Sequence, residues 1–291
     1  MADARRVAVL GGSSLVGRAV LPMLAAAGWQ ALAYSRRPHA QDAEAPAVSW
    51  RLTPPARTAD EATLPWWLCL APIWVLPHYF DALEAYGARR IVALSSTSRF
   101  TKIDSSDGAE NAVARQLAQA EEQVRQWAES RGIEWVILRP TLIYGFGQDK
   151  NVSEIARLIR RTSLFPLLGP AQGLRQPVHA HDVASACVAA LTAPAAANKA
   201  YNLSGGETLP YRHMVARIFE ALGQPVRMIG IPLVMFKIAV SLVRLLPRFR
   251  KWSPAMAERM NRDMVFDHVA ARQDLDFQPR PFHLSPHDIP A

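Results

Sequence analysis

The chain has 291 residues, of which 50% are hydrophobic and 20% are charged, as in an ordinary globular protein with one large domain or two smaller ones. The net charge of +8 does not by itself indicate nucleic acid, because no run of Arg and Lys is interleaved with aromatic residues. Cys69 and Cys187 lie in apolar stretches and have no cysteine or histidine at metal-ligand spacing, so we expect reduced core residues and no metal site. No separate signal peptide fits the N-terminus, and we expect a cytoplasmic protein.

The segment from Val7 to Gly17 combines a short apolar run with a glycine-rich turn. The run predicts a buried parallel strand, and apolar residues then recur at helical spacing as far as Gly28. A strand, a glycine turn and a helix in this order aim free backbone N–H groups and the positive end of a helix dipole at one point, where a phosphate binds. Gly11 allows the tight turn and Gly17 the close packing of helix on strand, whereas Ser14 replaces the usual middle glycine. The segment predicts a dinucleotide site.

Strands and helices alternate along the following hundred residues, which predicts an α/β fold with a doubly wound parallel sheet. The polar, proline-bearing stretch up to Pro65 is poorly periodic and predicts no regular element. Strands are predicted at 31–34, 67–72, 90–94 and 135–138, and helices at 78–86 and about 110–131.

The second half predicts a smaller, mostly helical lobe that closes over the sheet. Loops are predicted at 144–147 and 169–173, helices at 153–161 and 182–191, and a brief strand at 201–203. The predicted domains are a Rossmann-type dinucleotide-binding domain, 1–145 with 176–204, and a substrate lobe, 146–291, made of 146–175 and 205–291.

Several short motifs occur in one order along residues 5 to 225. They are the glycine turn, Ser95-Ser96-Thr97, the segment 139–145 (Arg-Pro-Thr-Leu-Ile-Tyr-Gly), the segment 176–184 and the segment 201–206. Together they resemble the extended short-chain dehydrogenase/reductase superfamily, in its NAD-dependent epimerase/dehydratase group. The resemblance implies a Rossmann domain that binds a nicotinamide dinucleotide.

The resemblance also assigns cofactor-binding positions. The phosphate loop would comprise Gly11, Ser13, Ser14, Leu15, Val16 and Gly17. The loop under the adenine ribose would comprise Leu70, Ala71 and Pro72. The residues beside the nicotinamide would be Ser95, Ser96, Pro140 and Ile143.

The choice of cofactor depends on the end of the second predicted strand. An NAD-binding protein usually has Asp or Glu there, bonded to the ribose hydroxyls, but this chain has Ser35-Arg36-Arg37. A guanidinium matches a 2′-phosphate in shape and charge, so we expect NADP rather than NAD. The other interpretation is a solvated loop with two surface arginines.

The family's chemistry depends on a Tyr-x-x-x-Lys pair in the helix after the Ser-Ser-Thr strand, and this chain lacks it. No tyrosine lies between Tyr86 and Tyr144, and counting along the helix places Val113 and Leu117 at the two positions. Valine and leucine cannot relay a proton. Thr97 remains at the position of the family's catalytic Ser or Thr.

Two interpretations follow from this loss. In the first, the chain is an atypical NADP-dependent reductase or epimerase-like enzyme acting on a nucleotide sugar, a lipid-linked or another small carbonyl or hydroxyl substrate. Its proton donor would then be Lys102, Asp104 or Tyr144. In the second, it is an inactive NAD(P)-binding scaffold or redox sensor, similar to the NmrA-like proteins and the accessory subunit of respiratory complex I.

Arg175 and Gln176 lie where extended family members contact the phosphate or sugar of the substrate, although a loop arginine facing water is the alternative. His179 and His181 flank a helix start that Asp182 is placed to cap, and the sequence shows no third ligand for a metal.

The segment from 229 to 252 is apolar with a narrow polar face and a basic exit. This pattern fits a helix lying on an anionic membrane surface or lining an access channel for a lipid-like substrate. A core helix of the lobe with a basic exit is the other interpretation, and it is the one we prefer.

Overall fold

The computed structural model describes residues 5–39, 45–53, 61–236 and 254–290. Its centre is a seven-stranded sheet in the order β11-β6-β5-β4-β1-β2-β3, with every neighbouring pair parallel. The strands are β1 (Arg6–Leu10), β2 (Gln30–Ser35), β3 (Val48–Leu52), β4 (Trp66–Cys69), β5 (Arg90–Leu94), β6 (Glu134–Pro140) and β11 (Lys199–Leu203). The predicted α/β class and doubly wound parallel sheet are confirmed.

Helices cover both faces of this sheet. On one face lie α1 (Gly17–Ala26), α6 (Ala180–Ala190) and α9 (Val269–Leu275). On the other lie a 3-10 helix (Ile73–Tyr79), α2 (Phe80–Ala85) and α4 (Gly108–Ser130), with the short α3 (Ser98–Thr101) packed on α4. Strand β1 shows why the fold forms, because Val7 and Val9 enter the core under α1 while Ala8 and Leu10 enter the opposite core. A strand buried on both faces is apolar throughout.

The predicted secondary structure is wrong at an edge strand, β3 (Val48–Leu52), and at a pair of two-residue strands in the second half. Strand β3 lies in the stretch where no element was predicted. Among the described residues it pairs only with β2, and three of its five residues are exposed, so it lacks a continuous apolar run. Residues 143–144, predicted to begin or adjoin a loop, form β7 (Ile143–Tyr144), which pairs with β10 (Val178–His179). The predicted strand 67–72 ends at Cys69, and the predicted helix 78–86 is a 3-10 helix followed by α2.

The second half contains a separate apolar cluster. It is built by α5 (Val152–Thr162), α7 (Tyr211–Ala221) and α8 (Pro254–Asn261) and by two small sheets. These pair β8 (Phe165–Leu168) with β13 (Met228–Ile231) in parallel, and β9 (Leu174–Arg175) with β12 (Leu209–Pro210) in antiparallel fashion. The lobe therefore combines helices with short strands.

The chain then returns to the first half. Ala271, Leu275 and Phe277 belong to the core between the sheet and α1 and α6. Cys69 and Cys187 are both free and buried, as expected for core residues.

The segment for which a core helix or membrane contact is predicted falls mainly on residues 237–252, outside the described residues. Its described beginning, up to Phe236, contains β13 and several exposed apolar side chains. Within the described ranges, no helix has the length and apolarity needed to cross a bilayer.

Arg90 ties the sheet to the end of α6. Its guanidinium is buried and donates to the carbonyls of Ala190 (3.2 Å) and Ala193 (2.9 Å), and its Nε donates to Glu134 (2.6 Å). We expect Arg90→Met to lower the free energy of unfolding by about 2 kcal/mol, because both carbonyls lose their donor. Arg89→Met, at an exposed position beside it, is the control and should leave denaturant unfolding unchanged. Equal midpoints for the two variants would contradict the assignment.

Candidate dinucleotide and substrate site

The glycine loop between β1 and α1 is closed by contacts of backbone on backbone. Gly11 has φ +80°, and a Cβ there would lie 2.5 Å from the nitrogen of Ala71. A Cβ on Gly17 would lie 2.1 Å from the carbonyl oxygen of Gly12. Neither position has room for a side chain: Gly11 is required for the close approach of this loop to the loop after β4, and Gly17 for the packing of the start of α1 against the loop.

The same loop leaves donors free at the positive end of α1. The helix begins without a side-chain cap or an acidic residue in its first turn. Ser14 bonds within the loop: its N–H donates to Gly11 (2.9 Å), and its Oγ accepts from the N–H of Gly17 (3.1 Å). Four other amides donate to no described residue: those of Gly12, Ser13, Leu15 and Val16. Free amides and a bare helix terminus fit a pyrophosphate.

Arg36 and Arg37 follow β2 at the same edge of the sheet. Both are exposed and neither pairs with a described acidic residue, while Ser35 Oγ accepts from the N–H of Arg37 (3.2 Å). Burial raises the pKa of Tyr79, and the charge of Arg36 opposes that rise. Arg36 therefore lies near the 3-10 helix that begins directly after Leu70, Ala71 and Pro72, beside the crevice predicted for the adenosine.

At the other end of the sheet edge, Ser96 and Thr97 line a cavity of about 580 Å³. The hydroxyl of Thr97 donates to the carbonyl oxygen of Pro140 (3.2 Å), and its N–H donates to the same atom (3.1 Å). Ser96 Oγ accepts from the N–H of Ser98 (3.1 Å). Ile143 lines the same cavity, so four residues assigned to this end of the cofactor site or to catalysis lie close together.

Ser95 points away from the cavity, toward a buried carboxylate. Its Oγ donates to Glu121 on α4 (2.5 Å), which also accepts from Arg139 (2.6 Å) and forms an ion pair with Arg99. Glu121 is 3% exposed. The carboxylate thus joins the strand ends at β5 and β6 to α3 and α4, directly behind the cavity.

The helix α4 is apolar where the family's catalytic pair is expected. Leu117 is buried in the cluster between α4 and the sheet, and Val113 packs against that cluster. Neither residue lines the cavity.

The far wall of the cavity carries Arg175 and Gln176, as the resemblance implies. Arg175 is 4% exposed, so the alternative of a loop arginine facing water is wrong. Its guanidinium donates to the carbonyls of Leu174 (2.7 Å) and Arg262 (2.8 Å) and lies 5.5 Å from the ring of Tyr211, with no ion pair to a described carboxylate. Burial lowers the pKa of Arg175 to about 10.

The three candidate proton donors occupy different surroundings. Lys102 lines the cavity with Thr97, and its Nζ lies 3.9 Å from Glu110. Asp104 is exposed and does not line the cavity. Tyr144 is buried outside the cavity, its hydroxyl donates to the carbonyl of His283 (3.2 Å), and burial raises its pKa to about 12.

The histidines at the start of α6 have structural partners. His179 is the N-cap, with a ring nitrogen accepting from the N–H of His181 (3.1 Å), so the expectation that Asp182 caps the helix is wrong. Asp182 instead pairs with Arg280 (2.8 Å). Among the described residues, no group of three His, Cys, Asp or Glu side chains is arranged to hold a metal ion.

The last described residues, 283–290, pack over these loops, and we call this segment the strap. Asp288 accepts from His179 (3.0 Å) and from the hydroxyl of Ser285 (2.6 Å). Burial alone would raise its pKa, but the hydrogen bonds from His179 and Ser285 dominate and lower the pKa of Asp288 well below its ordinary value. A Cβ on Gly147 would lie 2.7 Å from the carbonyl oxygen of Ile289, so the strap sits directly on the loop after β7.

Sequence reasoning missed the residues that complete the cavity, including Tyr211 on α7, Arg259 on α8 and Lys150 before α5. Each belongs to a different element and to no motif, so only tertiary structure brings them together. Glu121 had a signal, since a lone Glu on the buried stripe of a helix needs a cationic partner.

The buried ion pairs of Glu121 with Arg99 and Arg139 can be tested by their contribution to stability. We expect Glu121→Gln to lower the free energy of unfolding by about 3 kcal/mol, because Arg99 and Arg139 would lose the charge that offsets theirs. Glu122→Gln is the matched control, since Glu122 pairs with Arg125 on the exposed face and its loss should leave stability nearly unchanged. Urea titrations of the unmodified protein and the two variants measure the free energy of unfolding. Similar losses of stability in both variants would show that the ion pairs of Glu121 do not stabilise the fold.

Comparison with known proteins agrees with this geometry. The model of the NAD dependent epimerase/dehydratase family matches residues 78–204. The chain is 28% identical over 121 residues to a UDP-glucose 4-epimerase of Vibrio cholerae, covering 42% of this chain and 37% of that protein. It is 31% identical over 130 residues to an NAD(P)H azoreductase of Xenophilus azovorans, covering 44% of this chain and 42% of that protein. The matches thus span about two fifths of these curated relatives.

Solved structures resemble nearly the whole chain. MoeE5 in complex with UDP-glucose and NAD matches with a TM-score of 0.67 and 19% identity over 95% of this chain and 94% of that one. UDP-glucuronic acid 4-epimerase from Bacillus cereus in complex with NAD matches with a TM-score of 0.69 and 12% identity over 97% and 93%. The resemblance to the NAD-dependent epimerase/dehydratase family is therefore confirmed, in sequence over residues 78–204 and in fold over nearly the whole chain.

Proposed function

We propose that the protein is an atypical NADP-dependent reductase or epimerase-like enzyme of the short-chain dehydrogenase/reductase type. The observation that carries the proposal is the bare positive end of α1, where four free amides meet a loop that only glycine allows at Gly11 and Gly17. Such a helix terminus binds anions, and its free amides fit a pyrophosphate.

The choice of NADP rests on Arg36 and Arg37. Two relatives of known structure are described with NAD, and the azoreductase is named for NAD(P)H, so the comparisons leave the choice open. A planar guanidinium binds a phosphate through paired hydrogen bonds, and neither arginine is engaged with a described carboxylate.

When bound, the cofactor supplies or accepts a hydride. The chain's own residues orient the reacting groups. Ser96 and Ile143 line the cavity where the nicotinamide would lie, and Pro140 adjoins it through the hydrogen bond from Thr97. Thr97 can turn its hydroxyl from the carbonyl of Pro140 toward a substrate oxygen.

We assign the proton transfer to Lys102. Its ammonium group lines the same cavity as Thr97, and it carries a proton that can be given to a substrate oxygen as charge develops there. Tyr144 is not assigned this role, because its hydroxyl is bonded to His283 outside the cavity.

The substrate is a small molecule with an anionic group bound by Arg175 and Gln176. A buried guanidinium without a carboxylate partner is costly unless an anion neutralises it. A phosphate on the substrate would do so, as the names of UDP-sugar-binding relatives suggest. We place this activity in the cytoplasm.

A second candidate is a nucleotide-binding scaffold or redox sensor without turnover. It is favoured by α4, where Val113 and Leu117 are packed into apolar surroundings. In that case the dinucleotide would bind and no carbonyl compound would be reduced.

The cofactor is tested by comparing NADPH and NADH in equilibrium titrations. We expect Arg36→Gln/Arg37→Gln to weaken NADPH binding about tenfold to a hundredfold and to leave NADH binding unchanged, because only the 2′-phosphate loses its charged donors. Arg272→Gln, at an exposed arginine of α9, is the control. If the unmodified protein binds neither nucleotide at millimolar supply, the proposed function fails; equal affinities would overturn the NADP assignment alone.

Turnover is tested with NADPH and a panel of carbonyl substrates. We expect Lys102→Met to lower kcat about a hundredfold or more without changing NADPH affinity, because the substrate oxygen loses its proton donor. Lys199→Met is the matched control, since Lys199 is exposed and pairs with Asp274. Tight NADPH binding with no turnover across the panel would favour the scaffold.

A further inference from the structure

A second cavity, of about 470 Å³, adjoins the substrate cavity. Fourteen residues line it, and six of them also line the first cavity, so the two share a wall. All four polar side chains of the second cavity stand on that wall: Lys150, Asn151, Glu154 and Tyr211. The eight residues that line the second cavity alone are all apolar. We name this space the apolar chamber.

Four elements of the smaller lobe supply most of the residues that line the apolar chamber alone. Ile155 and Leu158 lie three residues apart on one face of α5. Phe165 comes from β8, Ile231 from β13 and Met214 from α7, and Phe236 follows β13. The parallel pairing of β8 with β13 fixes the floor. The chamber is thus part of the fold of the lobe.

The lining of the chamber selects against a nucleobase. The edges of a base carry hydrogen-bond donors and acceptors, and burying them without partners is costly. Away from the shared wall, the lining residues that the structure describes are all apolar, and such side chains suit a hydrocarbon chain or ring.

The chamber also opens onto an apolar stretch of surface. Leu158, which lines it, is 37% exposed. Val234 and Met235 lie in the chain between the lining residues Ile231 and Phe236 and are 70% and 62% exposed. Large apolar side chains that are exposed together beside a pocket mark a place where apolar ligands enter.

We propose that the substrate is an amphiphile, whose anionic group binds Arg175 and whose hydrocarbon part fills the apolar chamber. The inference rests on the proposed function, since the anionic end uses the cavity that Thr97 and Lys102 line. The two cavities match the two ends of such a molecule. Arg175, a buried cation without an ion pair to a described carboxylate, lines the first cavity, and eight apolar side chains of the described residues line the second alone.

The test is a binding series with butyl, hexyl and octyl phosphate, each below its micelle concentration, measured by calorimetry on the full chain with and without NADPH. We expect the dissociation constant to fall about fourfold for each added methylene until the chamber is filled, because each buried methylene adds hydrophobic free energy. Inorganic phosphate should bind most weakly, and UDP-glucose should bind more weakly than octyl phosphate.

Leu158→Glu places a charge at the mouth of the chamber and should remove the dependence on chain length. Val269→Glu is the matched control: Val269 is a half-exposed apolar residue at the start of a helix, and it lines neither cavity. Circular dichroism and NADPH binding of both variants show that the fold is retained.

A dissociation constant that does not change with chain length, or tighter binding of UDP-glucose than of octyl phosphate, would overturn the amphiphile. If NADPH still binds in those samples, the proposed function stands and only this inference fails. If NADPH does not bind while the affinity for the alkyl phosphates rises steeply with the length of the alkyl chain, the apolar chamber binds a hydrocarbon as proposed and the proposed function fails.

Discussion

The approach of α1 to β1 determines most of what this protein can do. At Gly11 and Gly17 the backbone of one element lies where a side chain would otherwise stand. This contact fixes the direction of the helix axis and leaves the first amides of the helix facing the edge of the sheet. Because the strands on either side are parallel, the loops that follow β1, β2, β4, β5 and β6 all begin at that same edge.

The parts of the fold that the sequence predicts are those governed by local pattern. Strands β1 and β5 were predicted because the residues after the arginine that begins each strand are buried on both faces and are apolar without interruption. Strand β3 was missed because one edge and much of its face meet solvent, which removes the pattern. His179 was not predicted as a cap, since a histidine at that position looks no different from one in a loop.

The same distinction, between features set by local sequence and features set by tertiary contacts, applies to the candidate site. The phosphate loop is continuous in sequence, so its geometry follows from a strand, a turn and a helix. The cavity is assembled from distant segments, and nothing local to Tyr211 or Arg259 relates them to Thr97. Arg175 shows the limit most clearly, because its burial depends on Arg262 and Tyr211, which are distant in sequence.

The strap formed by the last described residues has a consequence for behaviour in acid. Asp288 anchors it as a carboxylate, and its pKa in the folded protein lies below the ordinary value of 3.8. A group of this kind stabilises the fold at any pH above that ordinary value, and its contribution decreases as the pH falls toward the folded-state pKa. In strong acid the loop at Gly147 and the N-cap of α6 would therefore lose this anchor together.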